Sequence, residues 1–279
     1  MKHNLFIPPE PRSSAISYWL PALVFLAVVI TVQLMPLPAW QVTIGLLPAL
    51  LALCSPKPHA YIYWLLAAYV IGFGAHDALL EWIRRQDLRA ETVVILNRAL
   101  LACYVIPMLV MARLAGFRPM IYRWIGSLKQ RFVFPNLWSD SGGQPIWKVV
   151  LIASAINCFI WAFFVRTEQW QQDGLAYVIG MALLFALFNA FFEEWIWRGL
   201  VLSRFVEAVG EQPALLFVSA CFGAYHYSLG FSWIMCAVLG AGGLFFGGLT
   251  LRSKGLLAGF LFHGVVNFWM FMSGMIVEL

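Results

Sequence analysis

Charge is what this sequence is short of. Asp, Glu, Lys and Arg make up only 11% of its 279 residues, against about 25% in an ordinary soluble domain, and that excludes water as the main solvent of the folded chain. Paired cysteine spacing is missing as well. Cys54, Cys103, Cys158, Cys221 and Cys236 stand singly in apolar stretches with no CxxC, which excludes a disulfide framework and leaves free thiols packed as small hydrophobes. The ten-residue alternation of an outer-membrane barrel is absent, and runs such as Leu20 to Val32 are apolar almost throughout, which suits a spanning helix rather than a lumen-facing strand. Internal repeats and low-complexity tracts are absent, and so is the HExxH of a zinc peptidase.

Hydrophobic residues, at 62%, are what is there instead. They fall into nine segments: Ile16 to Met35, Trp40 to Cys54, Tyr61 to Phe73, Val93 to Leu114, Trp147 to Val165, Leu175 to Phe192, Ala214 to Tyr227, Phe231 to Leu251 and Leu256 to Val277. A transmembrane helix needs about 20 apolar residues, so the expected fold is all-α, a polytopic transmembrane helical bundle of eight to nine spans. The second and third segments are short and are expected to be tilted or re-entrant. Met1 to Arg12, with Pro8, Pro9 and Pro11, does not resemble a cleavable signal peptide.

The longest polar interruption divides the chain into N-terminal transmembrane segments at 1–114, a basic cytoplasmic loop at 115–146 and a C-terminal core at 147–279. The loop is basic and aromatic, so it is expected to lie along the inner lipid surface rather than to bind nucleic acid. With a cytoplasmic N-terminus and nine crossings, thirteen basic residues fall inside and five outside, Arg98 among the five. That is the asymmetry of the positive-inside rule. Compact length and the absence of eukaryotic targeting features point to a prokaryotic plasma membrane.

Ionisable side chains within hydrocarbon are costly and mark function by default. In the C-terminal half they form three groups: Glu193-Glu194 with Arg198 after Asn189, His226 four residues after Phe222, and His263 four before Asn267. The first half holds no comparable group; His3, His59 and His76 sit near segment ends and are assigned to the interface. Residues four apart share a helix face, which pairs Asn189 with Glu193, Glu194 with Arg198, and His263 with Asn267. Glu193 and Glu194 differ by about 100° around the axis. Glu194 therefore has an ion-pair partner in Arg198 and a supporting role, while Glu193 faces something else. At 1.5 Å per residue, Glu193, His226 and His263 lie roughly 16, 20 and 13 Å along their helices from Arg204, Pro213 and Lys254, so all three can meet at one depth.

The three groups resemble the EExxxR, FxxxH and HxxxN motifs, in that order, of the CAAX protease and bacteriocin-processing (CPBP, or Abi) family of glutamic-type intramembrane proteases, which includes the Ras-converting CAAX endopeptidases. The resemblance covers Trp147 to the C-terminus. It implies hydrolysis of a peptide bond within the membrane, on a membrane-anchored protein or peptide such as a CaaX protein or a sorting signal. By that resemblance Glu193 is the general base, aided by His226; His263 and Asn267 polarise the carbonyl and stabilise the oxyanion; Glu194 and Arg198 are structural. A desolvated carboxylate is a better base near neutral pH, and donors fixed in a dry site act more strongly than in water. No cofactor is implied. Glu193, His226 and His263 are also the ligand types of a catalytic zinc, so a zinc metalloprotease stays open as an alternative, as does a non-enzymatic immunity or transport protein. The bilayer itself is the other expected partner.

Overall fold

A computed structural model of the chain describes residues 15–34, 38–138, 142–165 and 173–276. The proline-rich N-terminus, His3, Arg166 and the end of the last apolar segment lie outside the described residues. The fold is helical as expected. Helices α1 (Ala15–Leu34), α2 (Pro38–Cys54), α3 (His59–Arg84), α4 (Ala90–Ala99) and α5 (Ala102–Leu114) precede a two-residue ribbon of β1 (Arg131–Phe132) and β2 (Gln144–Pro145). The ribbon is antiparallel, Arg131 opposite Pro145 and Phe132 opposite Gln144. Then come α6 (Ile146–Trp161), α7 (Leu175–Glu193), a wide π-helical stretch (Glu194–Val201), α8 (Leu202–Val209), α9 (Glu211–Tyr225), a 3-10 turn (His226–Leu229), α10 (Trp233–Ser253) and α11 (Leu257–Met272).

Among the described residues, four helical stretches are long and apolar enough to cross a membrane: His59–Arg84, Ala90–Leu114, Leu175–Val209 and Trp233–Ser253. Shorter apolar helices cover Trp19–Leu34, Ile44–Cys54, Ile146–Trp161 and Leu257–Met272. Outward-facing Leu114 and Ile234 are 75% and 81% exposed, an arrangement suited to lipid rather than water. The third segment is not short. His76, Asp77 and Glu81 end its apolar run but are tolerated in a helix, so α3 extends over 26 residues.

The chain forms two compact units, each drawing on separated stretches of sequence. The first contains the described residues of 1–74, 104–121 and 196–247. Here α1 packs on α9, α8 and α2 around large rings, with Phe25 edge-on to Phe205 at 5.3 Å and Tyr69 tilted against Tyr104 at 5.1 Å. Helices α9 and α10 meet at Gly223 and Gly240: a Cβ on Gly223 would lie 2.9 Å from the Gly240 Cα, so only glycine permits the approach.

The second unit contains the described residues of 75–103, 122–195 and 248–279. Its α11 packs on α7 and α6, and α4 packs on α7, over a core of Ile95, Val178, Ala182, Phe185, Phe271 and Met272. Part of the loop expected on the lipid surface is tied to the start of α11. The Arg123 N–H donates to the Lys254 carbonyl at 3.2 Å, the Leu256 N–H to Arg123 at 3.1 Å, and the Ser127 N–H to Ser253 at 2.8 Å. A Cβ on Gly255 would collide with the Gly126 backbone. Trp124 packs on Phe191 of α7 and Phe260 of α11, with ring centroids 5.6 and 5.4 Å away. This strap ties together the two helices that carry the acid pair and the second histidine.

Candidate active site

The second unit brings four of the six predicted residues together. Glu193, the last residue of α7, and Glu194, the next, are fully buried. His263 of α11 stands between them: its Nδ1 donates to Glu194 Oε1 at 3.0 Å, and its Nε2 lies 3.5 Å from Glu193 Oε2. The angle between successive side chains was expected to separate the two acids. An imidazole with a nitrogen on each edge spans that angle.

Glu193 is the unusual member. Both of its carboxylate oxygens are buried, and among the described residues neither has a hydrogen-bond partner. Buried polar atoms are nearly always hydrogen-bonded, so a buried carboxylate with both oxygens open is set apart as one available to an incoming ligand. Asn267, one turn beyond His263 on the same helix, is also buried, and its Nδ2 has no partner among the described residues. The site therefore offers an open acceptor and an open amide donor, with an imidazole between two carboxylates.

The backbone changes form at the acid pair. Helix α7 ends at Glu193, and Glu194–Val201 continues with i→i+5 bonding. Such wide turns are rare and recur at functional sites. Four residues make nearly one full turn of this wider helix, so Glu194 and Arg198 still project from neighbouring parts of its surface.

Arg198 and His226 belong to the first unit. The Arg198 guanidinium lies over the rings of Phe222 and Phe246, 4.2 and 5.1 Å from their centroids, and its Nη2 donates to the Gly243 carbonyl at 3.5 Å. His226 is buried at the end of α9, where its Nδ1 donates to the Phe222 carbonyl at 2.7 Å. That bond fixes the ring and leaves Nε2 as the nitrogen for other work. Phe222 of the FxxxH motif thus supplies both a carbonyl for His226 and a face for Arg198.

Two polar groups escaped the sequence reading. Arg98, counted there among external loop residues, is buried in the last turn of α4; its Nη1 donates to Asn189 Oδ1 at 3.4 Å and lies 4.0 Å from Glu193 Oε1. His76, assigned to the interface, is buried in α3, its Nε2 2.9 Å from Asn97 Oδ1. The available signal was Arg98 itself, a charge inside the apolar run from Val93 to Leu114. Arg198 and Arg204, counted as inner-loop residues, are buried too. Among the described residues no three His, Cys, Asp or Glu side chains are arranged to hold a metal ion.

Residues 175–269, which contain Glu193, Glu194, Arg198, His226, His263 and Asn267, match the family model described as Type II CAAX prenyl endopeptidase Rce1-like. No curated protein and no solved structure matches the chain.

Proposed function

We propose, from the similarity of residues 175–269 to the type II CAAX prenyl endopeptidase Rce1-like family, that the chain is an integral membrane endopeptidase in which Glu193 activates a water molecule against a peptide bond. The observation that carries the reading is the Glu193 carboxylate: fully buried, with neither oxygen in a hydrogen bond among the described residues, and 3.5 Å from an imidazole.

In the proposed reaction Glu193 removes a proton from water as the water oxygen attacks the carbonyl carbon. The carbonyl π electrons move to oxygen, and the oxyanion accepts a hydrogen bond from Asn267 Nδ2. As the tetrahedral intermediate collapses, the C–N bond breaks and the abstracted proton passes to the departing amine. His263, facing both acids, holds Glu193 in line and steadies the charge that develops, while Glu194 fixes the ring through Nδ1. His226 is assigned to the same reaction by its motif. The substrate is a membrane-anchored protein or peptide cleaved near its C-terminus, as in CaaX or sorting-signal processing, and the N-terminus is cytoplasmic.

The test uses the full chain in liposomes with a panel of lipidated and unlipidated C-terminal reporter peptides. Glu193→Gln is expected to abolish cleavage at unchanged folded yield, because the amide keeps the shape and cannot take the proton; persistent cleavage removes Glu193 as base. Cleavage that survives strong chelators supports the metal-free route, and loss restored by zinc supports the metalloprotease alternative.

A further inference from the structure

We infer that Arg98 is a positioning residue for the Glu193 carboxylate, so that α4, outside the stretch matched by the family, completes the candidate site. This rests on the endopeptidase reading above. A guanidinium within an apolar spanning segment is expensive and persists where a partner holds it. Arg98 is 6% exposed, and its neighbours identify what it serves. One nitrogen, Nη1, addresses both Asn189 Oδ1 and Glu193 Oε1, residues four apart on the inner face of α7.

The two oxygens of Glu193 are thereby divided: Oε1 faces Arg98 and Oε2 faces His263. A carboxylate between cationic and imidazole partners on opposite edges is held in one orientation, which leaves its attack geometry set before substrate arrives. Local structure fixes Arg98 in turn. It lies in the final turn of α4, which packs on α7, and the preceding residue, Asn97, is anchored by His76. Lysine at this position would keep the charge but lose the planar fork.

The experiment measures kcat and KM per folded molecule for the full chain carrying Arg98→Met, Arg98→Lys, Asn189→Ala and the Arg98→Met/Asn189→Ala pair. Arg98→Met is expected to lower kcat on the order of 100-fold, as misplacement of a reacting group does, with KM within about twofold, and Arg98→Lys to fall between it and the wild type. Asn189→Ala alone lowers kcat less, and in the Arg98→Met background it adds nothing, because both act through the same clamp. Wild-type kcat in folded Arg98→Met overturns the inference, as does a loss confined to KM or fully additive losses in the pair. If Arg98→Met does not fold, Arg98→Lys decides: reduced kcat at unchanged KM supports the clamp, and wild-type kcat overturns it. Glu193→Gln separates the two claims. If it is inactive while Arg98→Met is fully active, the inference fails and the endopeptidase reading stands; if it is active, the reading fails and takes the inference with it.

Discussion

Glu193 and Arg198 are five positions apart, both are buried, and their surroundings differ. Around Glu193 the partners are polar and come from distant sequence: Arg98 from α4, and His263 from α11 on the same rotational face as Asn267. Around Arg198 stand the aromatic faces of Phe222 and Phe246 and the Gly243 backbone carbonyl. The difference teaches that a low-dielectric interior accommodates charge in two ways. Ring faces and a carbonyl dipole help to stabilise a buried cation, whereas carboxylates set against an imidazole leave sites where protons can move. The first environment suits support and the second chemistry, although nothing in residue type alone separates them.

The sharpest way to break this contrast is His263→Ala. It leaves two buried carboxylates without the ring that meets both, so cleavage should vanish and stability should fall by about 1–3 kcal/mol, the usual effect of leaving a buried acceptor without its hydrogen-bond partner; activity and thermal melting of the purified protein check both. Asn267→Ala should separate the two effects. A loss on the order of 10²–10³ in kcat is expected for a missing oxyanion donor, while the melting temperature stays put because Nδ2 has no partner to lose among the described residues.

At Arg198 the expectation reverses. Arg198→Met fills similar space but gives up the interaction with two rings, so folded stability should drop by about 2 kcal/mol while kcat per folded molecule holds. A variant that melts normally yet cleaves poorly would erase the contrast between the two environments. Least affected should be a lipid-facing position: Ile234→Ala in α10 is expected to change stability by no more than about 0.5 kcal/mol and cleavage not at all, as read from the same two assays.

Much of this was legible before any coordinates. The helical class, the α7 face shared by Asn189 and Glu193, and the α11 face shared by His263 and Asn267 follow from spacing, because α-helical geometry repeats locally. The length of α3 was not legible, since His76 and Asp77 interrupt hydropathy without interrupting the helix. The π-helical stretch was hidden for another reason: i→i+4 and i→i+5 bonding use the same residues and differ only in what packing around Glu194–Val201 rewards. Arg98 read as a loop charge because a single cation near the start of an apolar run has no partner visible in its own segment.

What the sequence determined by itself is the solvent and the inventory: a chain this poor in charge must live in lipid, and the few ionisable groups placed within its apolar runs must serve a purpose there. What only the tertiary structure decided is which of them meet. His263 came to face both glutamates and Arg98 came to face Glu193 because α11 and α4 pack on α7. Contacts between helices far apart in sequence depend on the shapes of their whole apolar faces, and no short motif encodes those.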